Sequence, residues 1–262
     1  ADFSTLDTAK KIMIRTADLM VIRDPYVILG LVVIAVFVLI ALSKMPQAKD
    51  DGEMAPLSAT FKSLFQNVNY RNGVISQVLY VGAQIMCWTY IYQYAERIGI
   101  DSVTAGYYQM AAFVLFTVGR AIGTYLLRFV SSGKLLMYFA VLAMLCAFGT
   151  IVFQSSLGLY CLVGISFFMS LMFPTIYGIA LGDLSEEKSK VGSAGLVMAI
   201  VGGALMPKLQ GIIIDVGGNG VADTTIMGVS EVNFSFILPL LCFAYIAWYG
   251  FTVFKKYESI SS

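Results

Sequence analysis

The sequence predicts an all-α membrane protein with seven transmembrane helices, and three observations carry that prediction. Residues of the AVILMFWYC set make up 58% of the 262-residue chain and charged residues only 13%, whereas a soluble domain carries about 25% charged residues. Mean hydropathy is +0.80. The apolar residues also fall into runs of about 20, the length needed to cross a hydrocarbon core. The runs do not alternate polar and apolar positions, so barrel strands are excluded. The same composition excludes a soluble enzyme and a disordered chain, and a net charge of +1 offers no basic field for nucleic acid. His is absent, so zinc sites and histidine-based acid/base catalysis are excluded, and no cofactor or metal is expected. Cys87, Cys146, Cys161 and Cys242 stand singly in apolar runs and read as small buried hydrophobes.

The seven expected spans are residues 26–43, 73–94, 103–127, 135–153, 157–181, 191–214 and 234–254. The first holds no charge. The third carries Arg120, the fifth Pro174, the sixth Pro207 and Lys208, and the seventh Pro239. Residues 1–25 are polar and lack the apolar core of a signal peptide. Ala9, Ile12, Met13, Thr16 and Met20 give that segment an amphipathic helical pattern. Residues 44–72 form the expected loop between bundles, with a second amphipathic stretch at Leu57, Phe61, Leu64, Phe65 and Val68. Its acidic head, Lys49-Asp50-Asp51-Gly52-Glu53, reads as a solvated turn. Residues 73–254 make a six-helix bundle divisible into two sets of three, and 255–262 a tail. The start at Ala1 without Met is read as the start of a fragment.

Orientation follows from the basic residues. Lys44, Lys49, Lys62, Arg71, Arg128, Lys134, Lys188, Lys190, Lys255 and Lys256 all fall on one side of the predicted spans, and Arg97 alone in the opposite loops. That asymmetry predicts a multi-pass protein with a cytoplasmic C-terminus. Residues 1–25 run against it, with Lys10, Lys11, Arg15 and Arg23 on the expected outer side.

Candidate functional residues are the polar ones inside apolar runs, because a polar side chain in hydrocarbon needs a partner or a wet cavity. Tyr80, Gln84, Trp88 and Tyr92 recur every four residues and so share one helix face, with Gln77 one turn below. An amide among aromatic rings suits a sugar, with rings packing on C–H groups and the amide bonding hydroxyls; helix–helix packing is the competing explanation. Tyr108 stands with Tyr107 and Gln109 near the expected outer end of the third span. Arg120, between Gly119 and Gly123, reads as a gate contact with a helix C-terminus or a carboxylate, against simple snorkelling. Pro174, beside Phe173 and near Tyr177, removes a backbone donor and loosens the fifth span. The small residues of the sixth span, Gly202 and Gly203 among them, permit close or sliding contact. Lys208 invites a retinal linkage, but no carboxylate lies inside the predicted spans to serve as counter-ion, so it is expected to snorkel outward.

Four strings carry a family resemblance: VGAQIMCWTYIYQYAE at 81–96, VGRAIGTYLLRF at 118–129, FFMSLMFPTIYGIALGDL at 167–184 and VGSAGLVMAIVGGALMPKLQG at 191–211. In order and spacing they resemble the C-terminal half of fucose-permease-type transporters, the fucose–galactose–glucose proton symporter family of the major facilitator superfamily. The resemblance implies the C-terminal six-helix bundle of that fold plus one preceding helix, with five earlier spans missing. It implies import of a hexose or deoxyhexose with a proton across the bacterial inner membrane by alternating access. It places Gln84 and Trp88 toward the cavity and Arg120 at the gate, with Met172 and Tyr177 near the sugar, and puts the protonatable carboxylates in the missing half. Lys208 departs from the family pattern. The expected partners are therefore a small sugar, a proton, the missing N-terminal half and the bilayer. A self-contained seven-helix receptor or sensor, or a non-transporting membrane scaffold, are the competing functions.

Overall fold

The structure is a computed structural model, and it describes residues 23, 26–39, 41–42, 57–217 and 224–261. The amphipathic pattern expected in residues 1–25 and the acidic turn at 49–53 lie outside the described residues. The chain divides into two units, Ala1–Glu53 and Met54–Ser262. In the first unit, an apolar helix α1 covers Tyr26–Leu39.

The second unit begins with α2, Leu57–Gln66, followed by α3, Val68–Thr89, and α4, Ile91–Arg97. Of the amphipathic stretch expected here, Leu64 is buried against Tyr70, Ala180 and Leu196. Phe65 and Val68 are exposed, because the helix ends at Gln66 and Val68 opens the next one. The side chain of Asn67 caps α3, accepting from the Asn69 and Tyr70 amides at 3.0 and 3.3 Å. That cap starts the helix five residues before the expected span. At the far end of α4, Gly99 takes φ +79, a left-handed conformation that suits glycine and stops the helix.

Then come α5 (Ser102–Leu126), α6 (Ser132–Val152), α7 (Ser156–Met169) and α8 (Met172–Gly182). They are followed by α9 (Glu186–Met198), a 3-10 turn at Ala199–Val201, α10 (Gly202–Ile214), α11 (Glu231–Ser235) and α12 (Ile237–Ser261). Among the described residues, six helical stretches are long and apolar enough to cross a membrane: Val68–Arg97, Ser102–Leu126, Ser132–Val152, Ser156–Gly182, Glu186–Ile214 and Glu231–Lys256. They correspond to the second through seventh expected spans, and α1 lies within the first. The last helix continues through most of the stretch expected as a tail.

Between spans surrounded by lipid, hydrophobic burial gives little drive, so close packing and hydrogen bonds hold the bundle. Helices α6 and α12 touch backbone to backbone. A Cβ on Gly133 would lie 2.9 Å from the Phe254 amide nitrogen, and one on Gly250 would lie 2.8 Å from that of Met137. Tyr80, Tyr94, Tyr249, Phe236 and Phe243 are the large rings of the interior.

Each end of the bundle has its own polar stitching. At one end a two-residue hairpin, β1 (Thr225–Ile226) and β2 (Val229–Ser230), turns through Met227 and Gly228, both at positive φ. Here the Tyr94 hydroxyl donates to the Phe153 and Ser155 carbonyls. Asn233 Nδ2 donates to the Thr150 carbonyl at 2.8 Å, and Gln210 Nε2 to Ser235 Oγ at 2.9 Å. At the opposite, tail end, the Tyr249 hydroxyl donates to Asn69 Oδ1 at 3.2 Å, and Asn69 Nδ2 to the Ile179 carbonyl at 3.1 Å. The Tyr70 hydroxyl reaches the Gly192 carbonyl at 2.9 Å. Lys256 pairs with Asp183 at 2.6 Å.

Candidate functional site

The face of α3 singled out by the four-residue repeat is not uniform. Gly73 lets α3 lie against Ala180 of α8, so the tail-end part of this face is sealed. Ser76 and Gln77 are fully buried, and neither the Ser76 hydroxyl nor either polar atom of the Gln77 amide has a hydrogen-bond partner among the described residues. Tyr80 is 1% exposed and meets Phe173 edge-on, with ring centroids 6.1 Å apart. One turn further, Gln84 is half-buried, and among the described residues no hydrogen bond is formed to its amide. Trp88 is also half-buried; its Nε1 donates to Ser166 Oγ at 3.2 Å and its ring sits edge-on to Phe113 and Phe116. Tyr92 is 43% exposed. The stripe thus opens progressively from the tail end toward the hairpin end.

Tyr80 and Met172 were expected beside the sugar; both are buried, Tyr80 because it faces Phe173 of α8 and Met172 because it opens α8 within the core. They back the wall. Tyr177 is half-buried and stacks on Phe173 with the rings 13° from parallel and 6.4 Å apart. Tyr108 is half-buried on α5, tilted against Tyr160 of α7 at 5.9 Å. Gln84 and Trp88 share one patch; Tyr108 and Tyr177 are held by other pairs.

Of the expected gate residues, Gly119, Arg120 and Gly123 of α5 lie against the α7–α8 junction, while Gly202 and Gly203 of α10 lie against α3. Gly119 is buried, and a Cβ there would strike the Phe167 carbonyl and come within 2.8 Å of Ser170 Oγ. Beside it, Arg120 is exposed, and its Nε and Nη2 both donate to the Ser170 carbonyl, at 3.1 and 3.0 Å. The guanidinium carbon also lies 5.1 Å from the centre of the Phe116 ring. Gly123 is buried against Leu171 and Phe139. Pro174 is exposed and forms the third residue of α8, while the helix is interrupted earlier, at Ser170 and Leu171. Gly202 is buried where a Cβ would strike the Val78 carbonyl, and a Cβ on Gly203 would lie 3.1 Å from both Val81 and Ile85 side-chain carbons. Lys208 is exposed on α10.

Two further features lay beyond the sequence reading. Glu231, expected just outside the last span, is fully buried and is the first residue of the last spanning stretch. Its place directly after Ser230, whose side chain caps α11 by accepting from the Asn233 amide, was the legible hint. Cavities of about 280 and 340 Å³ lie at the tail end, the first beside Asn69, Asn72 and Lys256 and the second beside Ser132, Gly178 and Phe254. Neither is lined by an expected site residue. Outside the spans, the Thr104 amide and hydroxyl both donate to the Asp101 carboxylate and hold its pKa below the ordinary value of 3.8. Asp101 thereby caps the helix that carries Arg120.

No family model matches the chain. Over 254 residues it is 51% identical to the L-fucose-proton symporter of Haemophilus influenzae, an alignment covering 97% of this chain and 58% of that protein. It is 32% identical to the L-fucose-proton symporter of Escherichia coli over 86% of this chain and 50% of that one. A glucose/galactose transporter of Brucella abortus is 30% identical over 87% and 53%. In fold, the chain superimposes on a crystal structure of the E. coli fucose:proton symporter FucP with a TM-score of 0.77, at 28% identity, over 95% of this chain and 59% of that one. A structure of FucP in the outward conformation, described as a major facilitator superfamily transporter, gives 0.75. The chain spans about half the length of the curated relatives it matches. Its helical bundle gives this multi-pass membrane chain the fold of the major facilitator superfamily, and its sequence is similar to that of fucose-permease-type transporters.

Proposed function

We propose that this chain forms the C-terminal half of a secondary transporter that imports a hexose or deoxyhexose of the fucose, galactose and glucose class by proton symport. The observation that carries the reading is the half-buried Gln84 amide, without a partner among the described residues, beside the ring of Trp88 on a helix face that opens toward one end. The names of the relatives support the choice of sugar and proton. Gln84 bonds sugar hydroxyls and Trp88 packs on the C–H face; Tyr108 and Tyr177 complete the wall, and Tyr80 and Met172 support it from behind.

The remaining half of the cavity belongs to the N-terminal half of the transporter. It seats on the two spans least covered here, Ser102–Leu126 and Glu186–Ile214, of which 17% and 22% are buried. The tail end, with its excess of Lys and Arg, faces the cytoplasm of a bacterial inner membrane, and the hairpin end faces outward. Rocking of one half against the other switches access, with Arg120, Gly119, Gly123, Pro174, Gly202 and Gly203 at the moving contacts. Proton coupling resides on carboxylates of the other half.

The test uses the full-length transporter in vesicles and records proton uptake on addition of L-fucose or D-galactose. Gln84→Ala is expected to weaken apparent sugar affinity about tenfold, the loss of one buried hydrogen bond of roughly 1–1.5 kcal/mol. Unchanged affinity removes Gln84 from the site, and the absence of proton uptake with either sugar in the unaltered protein removes the symport reading.

A further inference from the structure

Inside a membrane every backbone carbonyl needs a donor, because no water is at hand to replace one. In an α-helix the carbonyl of residue 170 is served by the amide of residue 174. Residue 174 is proline and has no amide hydrogen, and its ring crowds the carbonyl four residues back. The neighbouring bond survives, since the Thr175 amide donates to the Leu171 carbonyl at 3.2 Å. Among the described residues no backbone amide donates to the Ser170 carbonyl. It receives instead the two N–H groups of Arg120, from a different helix. Close approach makes this reach possible: Gly119 brings the α5 backbone against the Phe167 carbonyl and Ser170 Oγ, and Ser170 Oγ folds back to donate to the Phe167 carbonyl at 2.7 Å. Arg120 therefore meets the carbonyl with its fork, while the rest of the guanidinium stays on the exposed side of α5.

We propose that Arg120 is a positioning residue that replaces the backbone donor removed by Pro174, so that the α7–α8 break is held by a side chain of α5 and bends only as α5 shifts. The break and α5 then form one coupled joint. Drawing α5 away by the length of a hydrogen bond strips the Ser170 carbonyl of its donors, and the stretch of chain from Phe167 to Thr175 relaxes with it. This deepens the gate assignment made above for Arg120 and Pro174, but its test reads no sugar and no proton, so either idea can fail while the other stands.

The experiment measures amide hydrogen exchange of peptides covering residues 167–176 in the full-length protein in nanodiscs. The proteins compared are the unaltered one, Arg120→Ala, Pro174→Ala and the double variant. Arg120→Ala is expected to speed exchange across the break about tenfold, as befits loss of a charge-assisted hydrogen bond. Pro174→Ala restores an amide that can serve Ser170, so removing Arg120 in that background is expected to change exchange less than about twofold. A purely packing role for Arg120 gives the same acceleration in both backgrounds, and that result overturns the proposal. Arg120→Lys, a point donor without the fork, is measured in parallel and is expected to recover part of the protection. Arg120→Gln, which keeps the bulk but not the charge, is measured beside it and keeps the test decisive should the alanine variant not fold, since exchange as fast in Arg120→Lys as in Arg120→Gln would equally overturn the assignment.

Discussion

Ser156–Gly182 and Glu186–Ile214 are both interrupted near their middle and each contains a proline, yet they differ in kind. Ser156–Gly182 is interrupted at Ser170 and Leu171, is the most deeply embedded of the six, and has its orphaned carbonyl filled by an arginine from another helix. Glu186–Ile214 is tightened to a 3-10 turn at Ala199–Val201, keeps its α-helix through Pro207, and is far less buried. Pro207 frees the Gly203 carbonyl in the same way, but among the described residues no side chain donates to it. The contact made there is of another sort, with the Tyr90 hydroxyl donating to the Pro207 carbonyl at 2.8 Å. A proline thus dictates that a carbonyl is orphaned; the neighbouring helix decides whether the chain bends into an interrupted joint or carries on as a helix.

The largest expected effect tests how the two spans are anchored. Gly119→Ala and Gly202→Ala each push a methyl group into a backbone carbonyl of a neighbouring helix, and each is expected to cost about 1–3 kcal/mol of stability. Gly178→Ala, which meets nothing within 4 Å, is expected to cost nothing and gains helix propensity. Thermal unfolding in detergent separates the three, and equal melting temperatures would break the close-approach argument.

Next in size is the contrast between the prolines themselves. Pro207→Ala supplies an amide to a carbonyl that lacks a side-chain donor among the described residues, while Pro174→Ala supplies one to a carbonyl already served by Arg120. The first is expected to stabilise more than the second, by about 1 kcal/mol. The reverse order of melting temperatures would mean that the arginine does not compensate.

The smallest effect concerns the helix that carries Arg120. The carboxylate of Asp101 is favoured by its bonds to the Thr104 amide and hydroxyl, so its pKa is lowered on folding. Its contribution to the start of α5 is therefore present above the ordinary value of 3.8 and lost as pH falls through the lower folded value. Exchange of the amides at residues 102–105 is expected to accelerate in that acid window, and Asp101→Asn to flatten the pH dependence while exchange in α10 does not respond.

Much of this architecture was legible because hydrocarbon imposes length and composition on every span. Six of the expected runs coincide with long helices to within a few residues, and the errors lie where a cap decides: Asn67 starts α3 early, and Ser230 draws Glu231 into the last span. The location of the fifth-span break was misjudged by one turn, although the chemistry of proline places the damage four residues upstream, at the carbonyl rather than at the ring. The site was only partly legible. A repeat of four puts Tyr80, Gln84 and Trp88 on one face, but it cannot tell which part of that face α8 will cover; Gly73 and Phe173 settle that, and they seal Tyr80 while leaving Gln84 open. Arg120 stood out as a charge in an apolar run, but its partner, a main-chain oxygen, has no side-chain signature.

Gly133 and Gly250 give α6 and α12 a seam in which each backbone fills the notch left by the other. Two rods locked at that spacing cannot slide lengthwise without lifting apart, so they behave as one rigid plank. Flexing then falls to the helices packed around that plank, among them the interrupted α7–α8 span and the joint held by Arg120.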